Sequence, residues 1–279
     1  MSKPMFTFIS AAMLVAPAAP IASQTAQIVA ESGQPGLPYA TVADRMLAAP
    51  AVVDATVRSA SRLKPAETPG LAAGQARFYV VADVTALIRG AAGFPARVSY
   101  LVDVPLDSRG RVPRLRKQRV ILFARPVAAR PGEIQLVTPD AQQPWTPGLD
   151  TLVRRIAQEL VAADAPPAIT GVGNAFHVPG TLPGEGETQV FLTTPDARPV
   201  SISVLRRPGE QPRWAVALSE IVDEAAAPPP RDTLLWYRLA CGLPPALPDR
   251  SLAALEPRDA EVAREDYRFV LAQLGPCGR

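Results

Sequence analysis

Proline sets the strongest constraint on this chain. There are 32 prolines in 279 residues, more than twice the usual share of roughly 5%, and they are spread along the whole length. Each removes a backbone donor and fixes φ, so long uninterrupted helices are excluded from most of the chain. Gly adds 18 further breakpoints. Apolar residues nevertheless make up 48% and charged residues 20%, which excludes general disorder and leaves enough material for a sizeable core. The expectation is a folded, turn-rich protein of short elements.

The first residues read MSKPMFTFISAAMLVAPAAPIAS. A basic start at Lys3, an apolar run from Phe6 to Val15 and the small-residue site Ala16-Pro17-Ala18 predict a signal peptide over 1–23. That run is too short for a permanent bilayer anchor, and no later stretch is long enough either. A periplasmic or secreted location is expected. The only two cysteines, Cys241 and Cys277, allow one pairing, and an exported chain meets conditions that form it.

Residues 24–50 read as a lead-in, with a short helix over Thr41–Leu47 stopped by Pro50. Period-two alternation then begins. Val53, Ala55 and Val57 oppose Asp54, Thr56 and Arg58. Phe78, Val80, Ala82 and Val84 oppose Arg77, Asp83 and Thr85. Val98, Tyr100, Val102 and Val104 oppose Arg97, Ser99 and Asp103. Such alternation marks strands with one buried face. Val120–Ala124 is apolar throughout and predicts a strand buried on both sides, and Ile134–Val137 a short fifth strand. Residues 51–147 are therefore expected to form an antiparallel small barrel or sandwich.

A linking helix is expected over 148–165, capped by Asp150 or Thr151, with Leu152, Ile156, Leu160 and Val161 on one stripe. A second antiparallel β unit follows over 166–227, with strands at Val190–Leu192, Val200–Leu205 and Arg213–Leu218. Residues 228–279 predict a helical pair, the first helix capped by Asp232 and the second beginning at Pro257. The fold class is α+β, mostly β.

Two segments carry candidate chemistry. Gly171–Thr188 (GVGNAFHVPGTLPGEGET) holds the only histidine. His177 with Asn174, Glu185 and Glu187 makes a candidate catalytic set, because an imidazole held by a carboxylate acts as a general base near neutral pH. Asp107–Arg119 is strongly basic: Arg109, Arg111, Arg114, Arg116, Lys117 and Arg119 lie within eleven residues. Placed between two strands, they predict an anion-binding loop.

Other chemistries lack their residues. There is no nucleophile elbow, no Walker loop and no H-E-x-x-H. One histidine and two cysteines make no zinc site, so no metal or other cofactor is expected. A formal charge of +3 and no aromatic residue among the cations speak against nucleic acid as a partner.

The segments AVVDATVRSA, ARFYVVADVTALIRG and RVILFARPV, with the basic hairpin between them, resemble the netrin/metalloproteinase-inhibitor type of OB barrel. That resemblance covers about ninety residues and implies an OB barrel for this part of the chain. The metal-blocking N-terminal cysteine of that family has no counterpart here, so inhibition is not implied. NAFHVPGTLPGEGETQ, RPVSISVLRRPGE and RDTLLWYRLAC resemble segments of exported bacterial proteins of no assigned function. The resulting expectation is a non-enzymatic envelope binding or structural protein for an anionic or protein partner. The alternative is a small hydrolase using His177 with Glu185 or Glu187.

Overall fold

The computed structural model describes residues 36–219 and 226–278. The expected leader, 1–23, and the first part of the lead-in lie outside them. Residues from Gly36 onward form one compact unit. Two antiparallel sheets and four helices build it, an α+β fold as the alternation and breaker pattern predicts.

α1 (Tyr39–Ala48) is stopped ahead of Pro50. The first sheet contains β1 (Ala51–Arg62), β2 (Gln75–Arg89), β3 (Arg97–Pro105), β4 (Arg119–Pro126) and β5 (Ile134–Leu136), in the order β3-β2-β1-β4-β5. A short β6 (Gln142–Pro144) also pairs with β4. The expected inward positions are buried, apart from half-buried Val84, but β1 is buried on both faces from Ala51 to Ala55, so that Asp54 lies inside and not on an outer face. Val53, Ala55, Val57, Phe78, Val80, Ala82, Val98, Tyr100, Val102 and Val104 share one buried cluster with Val120, Leu122, Ala124 and Ile134. One face of all five strands thus turns inward on a common core, which requires the sheet to curl.

The curl does not close into a barrel. Its two ends meet at a single parallel bridge, Ser99 with Glu133, where the Ser99 N–H donates to the Gly132 carbonyl at 2.8 Å. Beyond that bridge β3 and β5 separate.

β4 is buried on both faces, as its unbroken apolar run predicts: Ile121 and Phe123 point to the other side and enter the larger core with Val52. That core runs through α1, α2 (Pro147–Val161), α3 (Leu234–Gly242) and α4 (Pro257–Leu274) to the inner face of the second sheet. The second sheet has the order β10-β9-β8-β7. Its strands are β7 (Gly171–Pro179), β8 (Gly186–Thr193), β9 (Val200–Arg206) and β10 (Arg213–Ala217). The helices therefore form a layer joining the two sheets through continuous apolar packing, which the hydrophobic effect rewards without directional constraint. Glu159 of α2 ties three helices together: its Oε2 accepts from the Tyr39 hydroxyl and from the Leu234 N–H at 3.0 Å.

Several boundaries differ from expectation, each for a local reason. The linking helix is capped by Thr146, whose hydroxyl accepts from Leu149 N at 3.1 Å, and not by Asp150 or Thr151. Pro147 stands at the first helical position, where its missing N–H costs nothing. Val161, expected on the buried stripe, is 79% exposed, and Val153 takes its place in the core. α3 is capped by Thr233 and not Asp232. Asp232 instead adopts a φ of 59° in the turn before it. Pro257 opens α4 as predicted, and Cys241 and Cys277 are disulfide-bonded.

Candidate functional site

His177 stands on β7 directly opposite Thr188 on β8. The candidate segment from Gly171 to Thr188 is therefore mostly two paired strands. Alternation turns Ala175, His177, Gly186, Thr188 and Val190 inward against α4. His177 Nδ1 lies 2.9 Å from Thr188 Oγ1. The Thr188 hydroxyl donates its one proton to Asp266 Oδ2 on α4. Thr188 can then only accept from the imidazole, so Nδ1 carries the hydrogen and Nε2 is the basic nitrogen. Asp266 is fully buried, and its second oxygen accepts from Arg206 Nε at 2.6 Å. The absence of a side chain at Gly186 gives the ring its room: a Cβ there would stand 2.7 Å from His177 Cε1.

The expected carboxylate partners are elsewhere. Glu185 folds back onto its own turn and accepts from the N–H groups of Thr181 and Leu182 at 3.1 and 3.2 Å. Glu187 lies on the outer face of the sheet, bonded to Gln189 Nε2 at 2.9 Å. Asn174 is exposed beside the bulge between Val172 and Ala175. The carboxylate that orients His177 through Thr188 is Asp266, 78 residues beyond Thr188. Thus the imidazole is oriented, while five concavities of about 240 to 700 Å³ among the described residues are lined by other side chains. A hydrolase needs space for a scissile group within reach of its base.

The basic candidates divide into two groups. Arg119 is committed: Nε and Nη2 donate to the buried Asp54 at 2.9 and 2.6 Å, and its guanidinium stacks on Trp145 at 3.9 Å. Arg111 pairs with Asp107 at 2.8 Å. Asp107 also accepts from the N–H groups of Arg109 and Arg111. The Arg111 N–H above all holds its carboxyl below the usual range. Arg109, Arg114, Arg116 and Lys117 are exposed, with no ion pair among the described residues. Buried Leu115 and the Lys117 N–H, which donates to the Val57 carbonyl at 2.8 Å, pin the loop that presents them.

A concavity of about 700 Å³ opens where β3 and β5 part. Its walls follow from the ladder. The Ser99 N–H points away from β2, and in an antiparallel strand alternate residues repeat that direction. The main-chain groups of Leu101 and Asp103 therefore face the groove. Opposite, Glu133 and Val137 are bonded to β4, which leaves the main-chain groups of Leu136 turned toward β3. Tyr79 and Leu101, 43% and 50% exposed, form an apolar shelf on the outer side. Two ion pairs, Arg77 with Asp103 and Arg130 with Glu133, leave the walls themselves without net charge. Loop 106–118 begins three residues past Asp103, at the open end.

Sequence reasoning missed this groove and Asp266. Each had a local signal. Tyr79 and Leu101 are large apolar residues at outward positions of the alternation, and Asp266 is an acid beside the buried stripe of Ala263, Tyr267 and Val270. Among the described residues no cluster of His, Cys, Asp and Glu is arranged to hold a metal ion, and no helix is long and apolar enough to cross a membrane. No protein-family model matches the chain, and no curated protein matches it in sequence.

Proposed function

We propose that the chain is an exported, non-enzymatic binding protein of the cell envelope. It holds an extended segment of a protein partner in the groove between β3 and β5. The observation that carries this reading is the outward-facing main chain of Leu101 and Asp103 on an edge strand, set across an open groove from Leu136. An unpaired strand edge is a template for another strand. Strand addition gives affinity through the main chain and specificity through alternate side chains. Arg109, Arg114, Arg116 and Lys117, exposed on the loop that follows β3, favour acidic side chains in the segment. The leader read from residues 1–23 supports export. The curled five-stranded core supports the resemblance to an OB barrel.

The test uses a fluorescein-labelled peptide of about ten residues alternating valine and glutamate, long enough to run past both strands in extended form. A lysine-for-glutamate version is the control. The glutamate peptide binds and the lysine peptide binds at least about tenfold more weakly, with the difference shrinking at high salt. Leu101→Pro removes one outward N–H from an edge, where proline is tolerated, and weakens binding. Joint replacement of Arg114, Arg116 and Lys117 by glutamine removes the preference for glutamate. Binding unchanged by Leu101→Pro, or absent for both peptides, overturns the reading.

A further inference from the structure

We infer that the pocket under α3 at Arg238 is a binding site for a small organic carboxylate, separate from the strand groove. Arg238 is half-buried, and its Nε is buried without a hydrogen-bond partner. It has no ion pair among the described residues, and burial pulls its pKa below the ordinary guanidinium value. Four other guanidiniums that enter this protein's interior are met by a carboxylate: Arg45 by Asp140, Arg77 by Asp103, Arg119 by Asp54, Arg206 by Asp266. A fifth, Arg89, donates to the Met46 carbonyl. The Arg238 Nε has neither kind of partner. A desolvated cation without an anion is costly, and a carboxylate is the planar acceptor that fits its fork.

The space beside it has the matching shape. Arg238 faces a concavity of about 240 Å³ whose other walls include Leu160, Pro166, Pro167, Pro195 and Leu234. This is smaller than the ~300 Å³ lower bound for drug-sized ligands, so the occupant is small. Leu160 lies in the last turn of α2, Pro166 and Pro167 on the segment that leads to β7, and Pro195 on the β8–β9 turn. The second guanidinium in the pocket, Arg198, is occupied: Nε donates to Asp196 at 2.7 Å and Nη1 to the Ala165 carbonyl at 2.9 Å. Asp196 thereby offsets Arg198 and leaves the charge of Arg238 as the unmatched one. An anionic head on Arg238 with a short branched apolar body against the prolines satisfies both halves of the pocket.

The experiment is an NMR titration of the folded chain with 3-methylbutanoate, with inorganic phosphate and with the uncharged 3-methylbutanol. The Nε–Hε signal of Arg238 and the backbone amides of Ala165 and Ala168 report the site. With 3-methylbutanoate they shift together and saturate in the range of about 1–10 mM, as suits so few heavy atoms. The alcohol gives no saturable shift, and phosphate binds more weakly. Arg238→Gln weakens 3-methylbutanoate binding at least about tenfold. The inference is overturned by a wild-type chain whose Arg238 signal does not move with 3-methylbutanoate, a result independent of any variant's folding. It is overturned equally by phosphate or the alcohol matching the carboxylate, or by Arg238→Gln binding as the wild type does.

Discussion

Thr188 stands between His177 and Asp266, accepting from the imidazole and donating to the carboxylate. This one hydroxyl joins the β7–β8 hairpin to α4 inside the core. Thr188→Val keeps the shape and removes both bonds, leaving an imidazole N–H and part of a buried carboxylate unsatisfied. The expected loss is about 2–3 kcal/mol, read from urea denaturation. Glu187→Gln, on the exposed outer face of the sheet, stays within about 0.5 kcal/mol of the wild type. A Thr188→Val chain as stable as the wild type would show that the network does not hold the hairpin.

Arg119 secures Asp54, which has no exposed surface. The two parallel bonds and the stack on Trp145 need the planar guanidinium. Arg119→Met leaves a buried carboxylate without its cation and lowers the urea denaturation midpoint. Arg119→Lys recovers only part of that. Paired with Asp54→Asn in a double-mutant cycle, the coupling measures the ion pair itself.

The Cys241–Cys277 disulfide joins the end of α3 to the residues after α4 across a sequence separation of 36. In the chain-entropy account a loop of that size contributes about 3–4 kcal/mol. The Cys241→Ser/Cys277→Ser double variant should lose that much in denaturant unfolding. Reductant should have a matching effect on the wild type and none on the variant.

Three of the buried phenols set the alkaline limit. Burial raises the pKa of Tyr39, Tyr100 and Tyr267, and for Tyr39 the neighbouring Glu159 adds to it. In the unfolded chain each ionises near pH 10. A group with a raised folded pKa holds its proton longer in the folded state. Its stabilisation is therefore complete below about pH 10 and is lost as pH rises beyond that. Thermal unfolding should shift down steeply between about pH 10 and 12. Tyr100→Phe and Tyr267→Phe should each flatten that slope while lowering Tm at neutral pH, since their hydroxyls donate to Gln142 and to the Pro244 carbonyl.

What the sequence makes legible is the local part. The alternation at Val53, Phe78 and Val98, the double-sided burial of Val120–Ala124 and the proline start of α4 depend on neighbours two to four residues away. The cap at Thr146 has a local signature as well, a threonine before a proline at the first helical position. The site is another matter. Asp266 reaches His177 only because α4 packs across the second sheet. The β3–β5 groove exists only because the curled sheet fails to close past Ser99. Both depend on tertiary placement, which a single sequence does not encode in any short spacing. The basic loop was visible as a run of charge, while the commitment of Arg119 to Asp54 depends on strand register between β1 and β4.

The central claim is that the β3 edge receives a strand, and amide hydrogen exchange tests it most directly. In the free protein the amides of Leu101 and Asp103 face the groove and should exchange quickly, while those of Tyr100 and Val102, bonded to β2, are protected. Saturating valine–glutamate peptide should slow Leu101 and Asp103 and leave Tyr100 and Val102 as they were. If Leu101 and Asp103 exchange as fast with bound peptide as without it, the groove is not where the partner docks.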